Sequence, residues 1–543
     1  MEQYKGKTIL PNIAIGKIWF YSKSNQEIPK YHVENTEEEI VRYEQAKEQA
    51  LSQINECYEK ALEEVGEDES AIFLAHQMIL MDEEYNQKVY NILRQKKVNA
   101  ETAILTVQEY FSTFFASMED EFFRERVTDF EDVSQRLLAS LLNTEKDMGI
   151  SVPSIVVAKD LTPGETIQMD KSKILGLVTE LGSANSHTAI LARTMNLPAV
   201  IGVEVQEVWN GKMAALDGEN GILYIEPEQS VLDKLMQRQK ELLAQSSSLE
   251  NIKGMETCTK DGKKILLYAN VGSVSDVKCA LDNDAEGIGL FRSEFLYLGR
   301  NEFPTEEEQY EQYKAAAILA AERKLVIRTL DIGADKKVDY FGLKEEENPA
   351  MGLRAIRFCL EKPEIFKCQL RAIYRASVYG NLAVMYPMIT SFQEIEKIKQ
   401  IVEGIKAELT QEKIPFKEIQ HGIMIETPAA VMISEELAKE VDFFSIGTND
   451  LSQYTLAVDR QNPNLDAFYH PHHPAILKMI RMTVENGHKE GCKVGVCGEL
   501  AADETLTELF LEMGVDELSV APGRILPMRQ HICNLHLSEK EKA

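Results

Sequence analysis

The first candidate for chemistry is a histidine among small polar residues. His187 stands in the stretch ANSHTAIL (184–191), at the point where an apolar, helix-forming run begins. A neutral imidazole is a competent nucleophile near pH 7, provided that one ring nitrogen is free. A lone histidine is more often packed or solvated than reactive, so this stretch alone supports two interpretations.

A second set of candidates stands at the ends of short apolar runs in the second half of the chain. These ends carry Asn270, Arg292, Glu294, Arg328, Asp331, Met388, Glu426, Asn449, Asp450, Cys497 and Glu499. Unpaired ions are costly to bury, so the charged groups either pair with one another or face a charged ligand and a metal. An ion-pair ring and a ligand site are therefore the two alternatives.

The arginines of this set indicate an anionic ligand. Arg292 and Arg328 end neighbouring runs, and Arg460 follows the sixth. The planar fork of a guanidinium suits a phosphate or a carboxylate, so we expect a small polyanion. Glu426 and Asp450 have no His or Cys within their motifs, and such hard oxygen ligands favour Mg²⁺, which binds through the phosphate of a substrate.

A cysteine completes the set. Cys497 lies in the stretch VCGE, next to a glycine. Its thiol could pack, bind a metal or donate a proton, and a single thiol beside hard oxygen ligands favours the proton donor.

The apolar runs themselves predict the element that positions these residues. Eight buried-strand candidates follow in order: ILLYANVG, GIGLFRSE, LVIRTLDIG, LAVMYPMI, HGIMIET, VDFFSIGTND, KVGVCGE and ELSVAP. Helical runs separate most of them, and eight alternating units over roughly 280 residues fit a (β/α)8 barrel. Catalytic groups in such barrels sit at the carboxyl ends of the strands.

The first half of the chain predicts two further modules. Residues 35–144 are rich in Glu, Lys and Leu with helical periodicity and form a helical bundle, in which EEIVRYEQAKEQALSQINECYEKALEEV and SAIFLAHQMILMDEEYNQKVYNIL are the longest helices. Short Val- and Ile-rich runs broken by Gly and Pro follow, from Ser151 to about Pro227, and indicate a compact β/α module. The strand-like start ILPNIAIGKIWF has the same texture, so we expect it to join this module and the bundle to be an insertion.

These boundaries predict an α/β multidomain chain. The β/α domain takes residues 1–34 and 145–227, the inserted bundle 35–144, a helical linker 228–254 and the barrel 255–543. A length of 543 residues is too great for one ordinary core, which agrees with this division.

An acidic rim marks the bundle. It comprises Glu67, Asp68, Glu69, Asp82, Glu83 and Glu84, next to the apolar residues Ile72, Met78 and Met81. It is either a solvated face or a docking face for a basic partner, and association through the latter would weaken with salt.

Composition excludes several classes. The formal net charge of −29 disfavours nucleic acid and anionic membranes and would attract a basic protein. The sequence contains no run of about 18 apolar residues and no signal-peptide core at its start, so we expect a cytoplasmic protein without membrane insertion. The eight cysteines form no CxxC or CxxH pairs, so we expect reduced thiols and neither a disulfide framework nor a thiolate zinc site.

Five motifs together resemble Enzyme I of the bacterial phosphoenolpyruvate:sugar phosphotransferase system. They are EGIGLFRSEFLY, ENPAMGLRAIR, GIMIETPAA, VDFFSIGTNDLSQYTLAVDR and VCGELA. SHTAILAR resembles the phosphohistidine segment of that family, and the acidic bundle resembles its docking insertion. The resemblance covers essentially the whole chain. It implies a swivelling phosphohistidine domain with an inserted helical bundle, followed by a barrel that binds phosphoenolpyruvate and forms a homodimer.

The resemblance also implies a reaction and its residues. The phosphoryl group passes from phosphoenolpyruvate to a histidine, with Mg²⁺, then to a histidine-containing phosphocarrier protein, and pyruvate is released. The implied roles are the phosphorylated nucleophile for His187, orientation of its ring for Thr166, substrate binding for Arg292, Arg328, Asn449, Asp450 and Arg460, Mg²⁺ binding for Glu426 and Asp450, and protonation of the enolate for Cys497.

The chain departs from the family pattern near the nucleophile. The family pattern is GGxTSH, whereas this chain has Gly182-Ser183-Ala184-Asn185-Ser186-His187, with substitutions at Ser183 and Asn185. Where the family tends to have Ser-Pro-Gly, this chain has Leu10-Pro11-Asn12. Two alternatives remain. A catalytically weak regulatory or scaffold homologue would keep the fold and bind partners, and an enzyme of the pyruvate phosphate dikinase type would need an ATP-binding domain. The bundle has no glycine-rich phosphate loop for such a domain.

Overall fold

The chain forms two compact units, Met1–Gln245 and Ser246–Ala543. The computed structural model describes all residues except 23–29, 65–66, 117–120, 143–149, 151, 183–188, 190–191, 193–196, 299, 334–338, 345, 461 and 538–543. None of the described helices combines the length and the apolar character needed to span a lipid bilayer. All eight cysteines are free thiols.

The first unit contains an eight-stranded sheet with strands from both sides of the helical segment. Its strands are β1 (Glu2–Lys5), β2 (Lys7–Leu10), β3 (Ile13–Tyr21), β4 (Ser154–Ala158), β5 (Ile174–Thr179), β6 (Ala199–Ile201), β7 (Met213–Asp217) and β8 (Ile222–Ile225). Their spatial order is β1-β8-β7-β3-β4-β5-β6-β2. The run predicted as one N-terminal strand divides between β2 and β3, because Pro11 has no N–H to continue a ladder.

The described residues between β3 and β4 form five helices. They are α1 (Thr36–Glu64), α2 (Glu67–Met81), α3 (Glu83–Lys96), α4 (Ala100–Ala116) and α5 (Glu121–Leu141). Helix α1 buries a stripe that recurs every three to four residues, including Tyr43, Ala50, Ile54 and Ala61. This stripe packs into one apolar core with the other helices.

The prediction of one helix over residues 70–93 is wrong. Asp82 separates α2 from α3, and its side chain accepts a hydrogen bond from the backbone N–H of Tyr85 at 2.7 Å. Aspartate is a strong N-cap because it satisfies a donor that a helix start leaves open. The apolar period continues across the break, so periodicity alone did not reveal it.

A short helix ties the sheet to the bundle. Helix α6 (Pro163–Gln168) starts with a capping box between Thr162 and Glu165. The Lys60 ammonium donates a hydrogen bond to the carbonyl oxygen of Ile167 at 2.6 Å, and the Ile167 side chain belongs to the bundle core. One helix, α7 (Gln229–Glu250), follows β8, and the boundary between the two units falls within it.

The second unit is a closed barrel of eight parallel strands. They are β9 (Leu266–Val271), β10 (Ile288–Arg292), β11 (Lys324–Arg328), β12 (Asn381–Tyr386), β13 (Gln420–Ile425), β14 (Phe443–Ile446), β15 (Lys493–Val496) and β16 (Glu517–Val520). Each of the eight predicted strands occurs, and β16 pairs with β9 to close the barrel. The predicted fold class, with its inserted bundle and C-terminal (β/α)8 barrel, is confirmed.

Helices surround the barrel. They are α8 (Val274–Asp282), α9 (Glu306–Ala320), α10 (Ile356–Glu361), α11 (Pro363–Ala376), α12 (Phe392–Glu412), α13 (Pro428–Met432), α14 (Ser434–Ala438), α15 (Thr448–Leu456), α16 (Pro474–Lys489), α17 (Glu504–Met513) and α18 (Ile525–Asn534). Apolar side chains from several strands fill the barrel interior.

A half-buried histidine joins two tyrosines in the second unit. His421 of β13 lies between the hydroxyl groups of Tyr374 and Tyr386, at 2.9 Å from Nε2 and 2.8 Å from Nδ1. Burial lowers the pKa of His421 to about 4, so the imidazole is neutral at physiological pH.

Candidate active site at the carboxyl ends of the barrel strands

A cavity of about 850 Å³ opens at the carboxyl ends of the barrel strands. Seven of the nine predicted site residues line it: Arg292, Arg328, Glu426, Asn449, Asp450, Arg460 and Cys497. The two others, His187 and Thr166, belong to the first unit. The barrel therefore brings together the whole predicted set for the anion and the metal.

Arg328 is a buried cation held between two carboxylates. Its Nη2 lies 2.6 Å from Glu294 Oε1, and its Nη1 lies 3.1 Å from Asp331 Oδ2. The residue ends β11, directly opposite Arg292 at the end of β10. Arg292 is exposed to solvent at the cavity. One arginine is thus fixed by its ion pairs, and its neighbour faces the opening.

Arg354 is a second buried cation that the sequence analysis did not assign. Its guanidinium lies 2.8 Å from Asp331 Oδ1 and 3.5 Å from Asp450 Oδ1, and it donates to the hydroxyl of Tyr454 at 3.3 Å. It belongs to the motif ENPAMGLRAIR, which follows a loop and not a strand end. The sequence carries a signal for this residue, because the arginine stands within a motif of the family resemblance, but a strand-end pattern does not include it.

Glu426 is the most buried carboxylate of the cavity. It is 1% exposed, and its Oε1 accepts a hydrogen bond from the backbone N–H of Met388 at 2.6 Å. Gly447 leaves room for it, since a Cβ there would lie 2.8 Å from Glu426 Oε2. Burial, and then the charge of Asp450, raise the pKa of Glu426 to about 8.

This arrangement fits a divalent cation with hard oxygen ligands. A cation beside Glu426 and Asp450 would offset the burial and the repulsion that disfavour two charged carboxylates. Among the described side chains, no group of three or more His, Cys, Asp or Glu residues forms a metal site of its own. Two protein carboxylates agree with Mg²⁺, which keeps waters and takes further oxygen atoms from a substrate.

Cys497 is a buried thiol at the end of β15. It is 4% exposed, and its sulfur lies 3.7 Å from the carbonyl oxygen of Ile446. Burial raises its pKa to about 11, so the group is a protonated thiol at neutral pH. Gly498 lets the residues after β15 lie close to Thr448, which follows β14, because a Cβ at position 498 would lie 2.0 Å from Thr448 Oγ1. The site thus holds a protonated thiol and not a thiolate.

Polar groups at the ends of β14 and β15 complete the rim. The Asn449 side-chain amide donates to Glu499 Oε1 at 3.3 Å and accepts from the Glu499 backbone N–H at 2.9 Å. Arg460 is exposed, with Nη2 3.6 Å from Asp450 Oδ2. Asn270, which also ends a strand, instead donates to the carbonyl oxygens of Cys497 and Ser519, both at 3.0 Å, and so braces the barrel.

The remaining predicted residues lie in the first unit. Thr166 is buried on α6, one residue after Glu165, which accepts a hydrogen bond from the Tyr21 hydroxyl at 2.5 Å. His187, Ser183 and Asn185 fall outside the described residues. Thr166 therefore lies on a helix that is capped at its start and packed against its surroundings.

The acidic rim of the bundle is only partly described. Met78 and Met81 are 72% and 66% exposed, and Ile72 is half-buried. Asp82, Glu83 and Glu84 are exposed, whereas the side chains of residues 67–69 fall outside the description. Exposed methionines beside carboxylates form an apolar surface with a charged edge.

Comparison with known protein families gives three matches in chain order. The PEP-utilising enzyme N-terminal model matches residues 5–126, the PEP-utilising enzyme mobile-domain model 150–221, and the PEP-utilising enzyme PEP-binding domain model 246–537. The last of these covers the whole barrel and more than half of the chain.

Curated relatives match over the full length. A protein of Bacillus subtilis (strain 168), named phosphoenolpyruvate-protein phosphotransferase, is 40% identical over 546 residues, which cover 100% of this chain and 96% of the relative. A protein of Haemophilus influenzae with the same name is 42% identical over 536 residues, which cover 97% of this chain and 93% of the relative.

Proposed function

Because the chain belongs to the family of phosphoenolpyruvate-utilising enzymes that includes the phosphoenolpyruvate-protein phosphotransferases, we propose a role in the reaction for each residue of its site. The chain is an enzyme that transfers a phosphoryl group from phosphoenolpyruvate to protein, as Enzyme I does in the phosphotransferase system. The assignment of individual residues, metal and partner is our proposal.

One observation supports the barrel cavity as the phosphoenolpyruvate site: four arginines and seven acidic residues line it. The arginines are Arg292, Arg328, Arg354 and Arg460, and the acidic residues are Glu294, Asp331, Glu347, Glu426, Asp450, Asp459 and Glu499. Such a cavity suits a substrate with one phosphate and one carboxylate, because the guanidinium forks bind both groups. We assign the exposed Arg292 and Arg460 to direct contact with the substrate, and Arg328 to contact through the part of its fork that faces the cavity. Asn449 would donate its amide to the phosphate.

Glu426 and Asp450 would hold Mg²⁺. When bound, the ion would neutralise charge on the transferring phosphoryl group. Arg354 would keep Asp450 oriented, since its guanidinium lies 3.5 Å from that carboxylate and 2.8 Å from Asp331.

The transfer itself would need His187, and the formation of pyruvate from the enolate would need Cys497. A ring nitrogen of His187 attacks the phosphorus atom, the bond from phosphorus to the enol oxygen breaks, and the electron pair of that bond leaves with the enolate. Thr166 would fix the ring orientation. Cys497 then gives its proton to the enolate carbon, which completes pyruvate, and the thiolate takes a proton back from solvent. A thiol with a pKa of about 11 holds its proton until a strong base such as an enolate forms.

The bundle would dock the histidine-containing phosphocarrier protein. Met78, Met81 and Ile72 would form the apolar centre of the contact, with Glu83 and Glu84 at its edge. Asp82 caps the N-terminus of α3, so we expect it to contribute less to docking than to this cap.

Two further assignments complete the proposal. We expect two copies to associate through the barrel unit, which sedimentation at several concentrations would test. We also expect a cytoplasmic location, because all eight cysteines are free thiols, as reducing compartments keep them.

Labelled phosphoenolpyruvate tests the residue assignments. The full chain with [³²P]phosphoenolpyruvate and Mg²⁺ should gain one acid-labile label, and His187→Ala should gain none. Arg292→Met and Arg460→Met should each need far more phosphoenolpyruvate for half-maximal labelling. Arg524→Met, an exposed arginine outside the cavity, is the matched control. Label on another residue, or an unchanged requirement in both arginine variants, would contradict the assignment.

A further inference from the structure

A buried glutamine behind the barrel wall connects the two strand ends that carry Arg292 and Arg328. Gln369 lies on α11 and is 1% exposed. Its Oε1 accepts a hydrogen bond from the backbone N–H of Leu330 at 2.9 Å. Since a backbone N–H is only a donor, this contact fixes the orientation of the amide group.

The other end of the amide reaches the neighbouring strand end. Gln369 Nε2 donates to Ser293 Oγ at 2.9 Å and to the hydroxyl oxygen of Tyr313 at 3.1 Å. Ser293 Oγ in turn donates to the carbonyl oxygen of Arg328 at 2.6 Å. One side chain therefore joins the residue after Arg292 to the segment that follows Arg328.

These contacts bear on the geometry of the cavity. Arg292 and Arg328 are register partners on β10 and β11, so the spacing of their backbones limits where the two guanidinium groups can lie. Ser293, Tyr313 and Gln369 are all buried, so water cannot replace the contacts. A small displacement of a group that positions substrate can lower the rate about 100-fold.

We propose that Gln369 is a positioning residue for phosphoenolpyruvate binding, acting through Ser293 and Leu330 on the backbone of Arg292 and Arg328. The inference rests on the proposed function of those two arginines. Gln369 does not line the cavity and touches no substrate.

A second buried glutamine supplies a matched control. Gln309 on α9 is also 1% exposed, and its Oε1 accepts hydrogen bonds from Tyr297 at 3.0 Å and Tyr313 at 3.2 Å. Its Nε2 donates to the carbonyl oxygen of Pro304 at 3.1 Å. With a further contact from Nε2 to Cys368 Sγ at 3.6 Å, it has four partners against three for Gln369, but it bonds neither Ser293 nor Leu330. Replacement of either glutamine by methionine keeps the length of the side chain and removes its hydrogen bonds.

The experiment compares Gln369→Met with Gln309→Met in the full chain. Both variants should melt at similarly lowered temperatures. Below those temperatures, Gln369→Met should raise the KM for phosphoenolpyruvate about tenfold or more, whereas Gln309→Met should change it less than twofold. Equal KM values in the two variants would overturn the inference. If Gln369→Met does not fold, Ser293→Ala decides in its place, and an unchanged KM in that variant overturns the inference.

The parent enzyme separates this outcome from failure of the proposed function. Calorimetry with phosphoenolpyruvate and Mg²⁺ should show binding to the parent, and Arg292→Met should weaken that binding strongly. A parent that binds no phosphoenolpyruvate overturns both the assignment of the cavity and the inference. A parent that binds it, with equal affinity in Gln369→Met, overturns the inference alone.

Discussion

Removal of Arg354 should destabilise the barrel far more than removal of a surface arginine. In Arg354→Met, Asp331 would still pair with Arg328, at 3.1 Å. Asp450 would pair only with the exposed Arg460, at 3.6 Å. Loss of one partner of a buried ion pair costs about 3–5 kcal/mol because the remaining charge stays buried. The cavity is open to water and other arginines remain, so we expect the lower limit, about 3 kcal/mol.

The structure offers a direct way to measure this change. The two tryptophans, Trp19 and Trp209, both lie in the first unit, so tryptophan fluorescence follows the unfolding of that unit alone. Calorimetry follows both units. A loss of about 3 kcal/mol should lower the melting temperature of the barrel by about 6–12 °C, while the fluorescence transition stays in place.

Arg524→Met is the control for this prediction. Arg524 also pairs with a carboxylate, Glu504 at 3.2 Å, but both side chains are almost half exposed. Exposed pairs contribute about 0–1 kcal/mol, so the melting temperature should fall by less than about 4 °C. If Arg354→Met shifts the barrel transition no more than Arg524→Met, the buried pairs do not stabilise the cavity and the reasoning is wrong.

Three further predictions concern proton transfer, docking and pH. Cys497→Ser should slow pyruvate release in a single turnover at least tenfold, because a hydroxyl is a much weaker acid than a thiol, while His187 is still labelled; an unchanged rate would make Cys497 a packing residue. The double variant Glu83→Lys with Glu84→Lys should slow phosphoryl transfer to the carrier several-fold at low salt, but it should not slow labelling by phosphoenolpyruvate. Equal stopped-flow transfer rates for the variant and the parent at low salt would reject this docking face. The pKa of His421 is lowered to about 4, so between pH 6.5 and 4 the unfolded chain binds a proton that the folded chain does not, and stability should fall by about 3 kcal/mol as the pH falls through this range. His421→Gln should weaken this pH dependence in urea titrations, and an identical slope would assign it to other groups.

The strands were predictable from the sequence, and the bracing groups were not. Buried parallel strands appear as uninterrupted apolar runs, and their carboxyl ends must meet, so Arg328, Glu426 and Cys497 could be expected in one place. Arg354 reaches the same cavity from a loop, for which no periodic pattern exists. Gln369 contributes through hydrogen bonds between distant segments, which a single sequence does not record.

Local electrostatics were equally hidden. Glu426 and Asp450 both appeared as acidic residues, but only the structure shows that burial raises the pKa of Glu426 to about 8. The break at Asp82 was missed for a related reason, because capping depends on one hydrogen bond and not on a pattern.

The order of strands in the first sheet has a consequence for the growing chain on the ribosome. β1 pairs with β8, so residues 2–5 cannot form their strand pairing until residues 222–225 have been synthesised. At about 5–20 residues per second, the roughly 200 residues between them take on the order of 10–40 s to be made. The bundle, whose helices pack against neighbours in sequence, can fold during that interval and leave β1 to β3 exposed. We therefore expect chaperones that bind nascent chains to recognise the first twenty residues, and synonymous codons that slow translation before residue 213 to increase aggregation.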